Sequence, residues 1–233
     1  MFGLFTYDWT ILLMVPGLII SIWAQMKVKS TFSRYSKITT RKGLTGYMAA
    51  RQILDANGLS HISIEQIGGD LSDHYDPRAN VIRLSSAVYS STSPAAIGVA
   101  AHEAGHAIQY AKEYAPIKLR ASIVSFTQFS SNLAMPLFFI GLLFGSPELC
   151  LIGICLYVAI VVFQLVTLPV EFNASARALS VLKSSQMLDQ KELKASKKVL
   201  SAAAMTYVAA LLTSLLTLLR LIIIAGGRGN RRD

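Results

Sequence analysis

Three long stretches without a formal charge, and a fourth broken by one arginine, constrain this chain more than anything else in it. They are Trp9 to Met26, Ala121 to Phe144, Leu149 to Val170 and Ala202 to Ala225, the last containing Arg220. A helix needs about 20 apolar residues to cross a bilayer core roughly 30 Å thick. Each stretch comes close to that length or exceeds it. Trp9 and Trp23 stand near the two ends of the first, where amphipathic rings anchor at the interface. Such a chain folds as helices that satisfy their own backbone in lipid, with any sheet confined to the segments between them.

Composition agrees. Of the 233 residues, 53% are hydrophobic and only 15% charged, against about 25% charged in ordinary soluble domains. Mean hydropathy is +0.48. The net charge is +9, but the basic residues flank the apolar runs. That distribution fits anionic lipid and topology setting, and no nucleic-acid partner is expected. Cys150 and Cys155 share one apolar run and point in different directions on a helix, so they read as apolar residues and not as a disulfide or a thiolate site.

The flanking charges orient the spans. Lys27, Lys29, Arg34, Lys37, Arg41 and Lys42 follow the first without an acid among them. The positive-inside rule then places the N-terminus outside and residue 27 onward in the cytoplasm. Asp8 precedes this span where a secretory signal carries Lys or Arg, and no small-residue cleavage site follows. The second and third runs form a hairpin broken at Gly145-Ser146-Pro147-Glu148. Lys112, Lys118 and Arg120 lie before it, and Arg177 and Lys183 after it. Both ends of the hairpin are therefore cytoplasmic. Asp189-Gln190-Lys191-Glu192 has the form of a capping box opening a basic helix that runs into the fourth segment. Arg220 and the tail GGRGNRRD sit awkwardly with a full crossing; a fourth span is the expectation and a re-entrant helix the alternative. No internal repeat or low-complexity segment is present.

The expected organisation is a first transmembrane helix over 1–26, a cytoplasmic α+β zinc-binding domain over 27–120 and a transmembrane hairpin over 121–170. A cytoplasmic helical segment over 171–200 and a final transmembrane helix with a basic tail over 201–233 follow. In the 27–120 domain, Thr45 caps a helix whose stripe is Ala49, Ala50, Ile53 and Leu54, and Asn57-Gly58 ends it. HISIEQI alternates like a strand. GGDLSDHYDPRAN reads as a turn-rich loop shaped by Asp76-Pro77. Asn80 to Ser85 reads as a second strand. Ser93-Pro94 then opens a helix, a cap followed by proline at the first helical position.

That helix carries His102-Glu103-Ala104-Gly105-His106. Residues four apart share a helix face, so two imidazoles can reach one zinc ion. Glu103 is turned to a neighbouring face, where its carboxylate can take a proton from the water that the metal activates. Zinc lowers the pKa of such a water to roughly 7. Gly105 suits close packing near the metal. The pair leaves a third ligand to be found. His61 and His74 lie upstream. Glu113 is on nearly the same face but about 10 Å further along the axis. Asp189 and Glu192 read as helix-start residues. Glu171 follows the third span directly, and a hairpin of two similar spans returns it to the membrane face that carries His106. Glu171 is therefore the expected third ligand, with an interfacial charge as its bland alternative.

SDHYDPRANVIRLSSAVYSSTSPAAIGVAAHEAGHAIQ and LPVEFNASARAL resemble the bacterial membrane neutral zinc metallopeptidases usually called YugP-like. The resemblance runs from the first span to the fourth. The layout is more distantly similar to the HtpX and CAAX prenyl protease group. It implies a gluzincin site, with His102, His106 and Glu171 as ligands to Zn2+ and Glu103 as base. The sequence departs from the HtpX-like pattern at Ser175, where an Asp supports a ligating histidine; Asn173 is a second position at which an acid is absent. Ser175, Asn173 or a backbone carbonyl is left to take that part. His74, Tyr75 and Arg177 are the candidates for stabilising the developing oxyanion. Strand 80–85 is expected as an exposed edge to which an extended substrate adds by backbone pairing.

The resulting expectation is a mostly α-helical integral membrane protein of about four spans with a small α+β gluzincin-like domain. It acts as a zinc metalloendopeptidase on membrane or misfolded proteins at the cytoplasmic face, its partners being protein or peptide substrates and the bilayer. The alternatives are a catalytically silent zinc-containing scaffold and a site-2-like intramembrane protease. The latter places its motif inside a span, whereas residues 85–116 are too polar for one. Substrate identity and oligomeric state are open.

Overall fold

The computed structural model describes residues 9–69 and 72–229. Asp8 and residues 230–233 of the basic tail lie outside them. A short 3-10 turn, Trp9–Leu13, leads into α1, Met14–Tyr35. The chain then runs through α2 (Gly46–Ala56), β1 (Ser63–Ile67), β2 (His74–Asp76), β3 (Val81–Ser85), α3 (Ser86–Tyr89) and α4 (Pro94–Ala111). Three long helices complete it: α5 (Ala115–Phe144), α6 (Pro147–Ser184) and α7 (Gln190–Gly229). Four helical stretches, Trp9–Tyr35, Ala115–Phe144, Pro147–Ser184 and Gln190–Gly227, are long and apolar enough to cross a membrane. The protein is thus a mostly helical membrane protein with a small three-stranded sheet.

The chain divides into two compact units. One holds the described parts of Met1–Ala24, Leu119–Leu168 and Thr206–Asp233. Large side chains such as Phe126, Leu143, Phe144 and Leu151 face outward along its helices, as lipid-facing residues do. Its helices meet through small residues, which let backbones approach where no aqueous hydrophobic effect drives them together. Gly17 lies against Thr213, and Gly153 against Ala134 and Phe138. Ser21 Oγ and Thr213 Oγ1 are 3.1 Å apart. The awkward Arg220 is half-buried, and its Nε donates to Thr10 Oγ1 at 3.2 Å. Cys150 and Cys155 are both free thiols on α6.

The other unit comprises Gln25–Lys118 and Pro169–Met205. Local chemistry sets its helix ends as the sequence indicates. Thr45 accepts a hydrogen bond from Met48 N at 3.2 Å, and Gly58 takes a φ of +72° beyond α2. Ser93 Oγ accepts from Ala96 N, with Pro94 opening α4. At the start of α7 the capping box is reciprocal: Glu192 N donates to Asp189 Oδ1 at 2.9 Å, and Asp189 N to Glu192 Oε2 at 2.8 Å. The core joins Ile53 and Leu54 of α2, Ile82 and Leu84 of β3, and the alanine-rich face of α4 around Ala100, Ala101 and Ala104.

Two expectations for this unit are corrected. The segment before residue 80 is not all loop, because His74–Asp76 pair with β3. Three residues are too few to show a period, and turn residues flank them. The strand 80–85 is not an exposed edge. The sheet order is β1-β3-β2, with β1 parallel and β2 antiparallel to β3, so β3 is central and paired on both sides. Its buried pattern on both faces, Val81, Ile82, Leu84 and Ser85, is that of a central strand.

Candidate metal centre

On α4, His102 and His106 stand one turn apart, their rings edge-to-face with centroids 4.7 Å apart. Gly105 lies between them, at the point where α4 meets α6. A Cβ there would sit 2.7 Å from the Ala174 carbonyl oxygen, so only glycine permits this approach. The close contact brings Glu171, one turn earlier on α6, against both imidazoles. Its Oε2 is 3.3 Å from His102 Nε2 and 3.5 Å from His106 Nε2, and the two Nε2 atoms are 3.1 Å apart. Zinc bonds of about 2.05 Å at tetrahedral angles separate neighbouring donors by roughly 3.3 Å. Two nitrogens and a carboxylate oxygen at these separations therefore fit a zinc ion, with a fourth position left for water or substrate. Among the described residues, these three form the group able to hold a metal. His61, His74 and Glu113 are not in it. Glu113 pairs instead with Lys118 at 3.1 Å on the surface.

Burial alone would depress the pKa of the His106 imidazole. The hydrogen bond to Glu171 and the negative charges of Glu103 and Glu171 reverse that and hold it above the ordinary value. The site thus favours positive charge in its interior.

Glu103 is buried at 8% exposure. Tyr75 N of β2 donates to its Oε2 at 3.0 Å, while Oε1 accepts no hydrogen bond from the described residues. A hydrogen bond on one oxygen fixes the carboxylate and leaves the other for proton transfer. Tyr75 therefore reaches the site through its backbone. Its hydroxyl donates to Asn80 Oδ1 at 3.3 Å and its ring packs on Tyr110. His74, next along the strand, is exposed, with Nδ1 2.8 Å from the Ser72 carbonyl oxygen. Arg177 Nε donates to Asn173 Oδ1 at 2.6 Å, and its guanidinium lies over the Tyr114 ring. The structure thus gives neither His74 nor Arg177 a hydrogen bond or ion pair with the metal-binding group or Glu103.

The histidines' outer nitrogens are supported differently. His102 Nδ1 is 3.1 Å from Ser175 Oγ. His106 Nδ1 is 3.0 Å from Gln109 Oε1. Gln109 is absent from the sequence expectations, although its position three residues beyond His106 puts it on the same helix face. Asp73 is also new. Its carboxylate accepts from Ser85 N at 2.7 Å and from Ser85 Oγ at 3.0 Å, tying the lead-in to β2 to the end of β3. Burial raises its pKa, and Glu103's charge adds to this, against the opposing Ser85 hydrogen bonds.

The sequence family described as "Putative neutral zinc metallopeptidase" matches residues 10–226. The chain belongs to this family. It is 49% identical over 214 residues to "Putative membrane protease YugP" of Bacillus subtilis (strain 168), covering 92% of this chain and 95% of that relative. No solved structure matches it. Zinc is the metal that the family description names, and the His102, His106 and Glu171 donors suit it.

Proposed function

We propose that this family member is a membrane-anchored zinc metalloendopeptidase of the gluzincin type, with Glu103 as general base, acting on membrane or misfolded proteins at the cytoplasmic face. The observation that carries it is the pairing of two features: a donor triangle of zinc dimensions, and a buried glutamate on the same helix with one oxygen held and one free. The second feature favours the catalytic reading over a silent zinc-containing scaffold.

When bound, zinc supplies the Lewis acidity that makes water nucleophilic at neutral pH and polarises the scissile carbonyl. His102, His106 and Glu171 hold it. Glu103 Oε1 takes the proton from the attacking water and passes it to the departing amine, while the Tyr75 N–H keeps the carboxylate in place. The cytoplasmic orientation rests on the six basic residues between Lys27 and Lys42.

The test is zinc content and cleavage of an unfolded model protein in detergent, for wild type, Glu103→Gln and Glu171→Ala. One zinc in wild type and Glu103→Gln, cleavage only in wild type, and loss of zinc in Glu171→Ala are the expected results. Cleavage by Glu103→Gln at the wild-type rate would remove Glu103 as base.

A further inference from the structure

The support beneath His106 has a direction, and that direction is set at some distance from the metal site. Gln109 is wholly buried. Its Oε1 faces His106 Nδ1 at 3.0 Å, and its Nε2 lies 2.8 Å from the Val170 carbonyl oxygen and 3.0 Å from Asn173 Oδ1. Asn173 Oδ1 also receives Arg177 Nε at 2.6 Å.

Side-chain amides can be turned end for end, so their orientation must follow from their partners. Here the partners at the far end allow one arrangement. The Val170 carbonyl can only accept, so the Gln109 atom facing it is the amide nitrogen. Arg177 can only donate and stays charged, so Asn173 meets it with oxygen. That same oxygen accepts from Gln109, which agrees with the first assignment. Gln109 then has only its oxygen to offer His106. An acceptor opposite Nδ1 places the hydrogen there. The lone pair of the neutral ring is left on Nε2, the atom that stands in the donor triangle.

We propose that Gln109, Asn173 and Arg177 form a positioning relay that holds His106 in its metal-ligating tautomer, with the Val170 carbonyl orienting Gln109 and Arg177 orienting Asn173. This rests on the metallopeptidase reading of the site. His102 has no equivalent. The Ser175 hydroxyl can donate or accept, so it steadies that ring without choosing its tautomer. His106 is preset and His102 adapts. Arg177 is accordingly a positioning residue that acts through Asn173, and not an oxyanion donor.

The test uses the full-length protein in detergent, reloaded with zinc or cobalt. Zinc affinity is measured by chelator competition, and the visible absorption of the cobalt form reports ligand geometry. Gln109→Leu and Asn173→Leu are expected to weaken zinc binding about ten- to a hundredfold, the range for lost partners of ligating histidines, and to alter the cobalt spectrum. Asn173→Asp keeps an acceptor for both Gln109 and Arg177 and is expected to retain wild-type affinity. Arg177→Leu is expected to give a smaller loss than Asn173→Leu, because it frees Asn173 to turn while the Val170 carbonyl still holds Gln109. Should Gln109→Leu fail to fold, the half-buried positions 173 and 177 carry the test. Wild-type affinity and spectrum in a folded Asn173→Leu would overturn the relay. Equal losses in Asn173→Asp and Asn173→Leu would also overturn it, since polarity would then not matter. If wild type itself binds no zinc, the metallopeptidase reading fails instead.

Discussion

The His106 and His102 flanks of the metal site present the same ring nitrogen to Glu171 but are built on opposite principles. His106 lies deeper in the unit, against a wholly buried amide whose every polar atom is engaged. His102 is more open and leans on one hydroxyl. Burial explains the difference. A polar group without water must find fixed partners or lose a few kcal/mol, about 1–3 for a neutral group. The deep flank is therefore a closed network, while the open flank can exchange partners with solvent and substrate. The site should consequently tolerate movement at His102 and not at His106.

The strongest way to break this comparison is to remove chemistry without touching either flank. Glu103→Gln keeps both histidine supports and the Tyr75 hydrogen bond acceptor. Zinc content should stay at wild type while kcat falls about 10²- to 10⁴-fold, the usual contribution of a general base. A parallel loss of zinc would show that Glu103 props the flanks as well. Next in size is Gly105→Ala, which disturbs both flanks together. Its Cβ would meet the Ala174 carbonyl oxygen at 2.7 Å, so α4 and α6 must part. A destabilisation of about 1–3 kcal/mol is expected, read as a lower melting temperature with weaker zinc binding. An unchanged melting temperature would mean that the two helices have slack at this point.

A smaller effect separates the flanks directly. Ser175→Ala removes the sole partner of His102 Nδ1 among the described residues, at a site that water can reach. Zinc affinity should fall by less than about threefold, against the ten- to hundredfold expected from Gln109→Leu. Equal losses at the two positions would erase the distinction between a preset and an adaptable ligand.

The same contrast governs what the amino-acid pattern reveals. The apolar runs are legible because membrane crossing needs only length and absence of charge, and both are written locally. Thr45, Ser93 and the Asp189–Glu192 box announce their helices because capping is a contact within one turn. The His102–Glu103–His106 motif is legible for the same reason, and the hairpin added Glu171 by topology. Gln109 is not legible in this way, because its meaning comes from Val170 and Asn173, more than sixty residues away. β2 was hidden in a turn-rich segment, and the central place of β3 depends on two partners that the residues 80–85 cannot name by themselves. Ser175 is already a candidate histidine partner in the sequence, beside Asn173 and a backbone carbonyl, and the meeting of α4 and α6 selects it for His102.

The smallest expected effect lies on the support for Glu103. β2 offers the Tyr75 N–H, and Asp76 anchors the end of that strand. Its Oδ1 accepts from Arg78 N and Ala79 N, and its Oδ2 is 3.0 Å from Arg83 Nη1 on β3. The Arg83 hydrogen bond, then the two backbone amides, hold the Asp76 carboxyl below its ordinary value of 3.8. A carboxyl lowered in the fold stabilises the protein above the unfolded value, and that contribution is lost as pH falls through the folded one. Asp76→Asn should therefore lower the melting temperature slightly at pH 7, and the gap to wild type should close below about pH 4. Because the pair is open to solvent, salt should shrink the gap at neutral pH as well. A gap that persists unchanged into acid would assign the effect to the turn geometry at Asp76-Pro77 and not to charge. In that case Glu103 would be held by the shape of the β2 end alone, and the open side of the site would be free of electrostatic support.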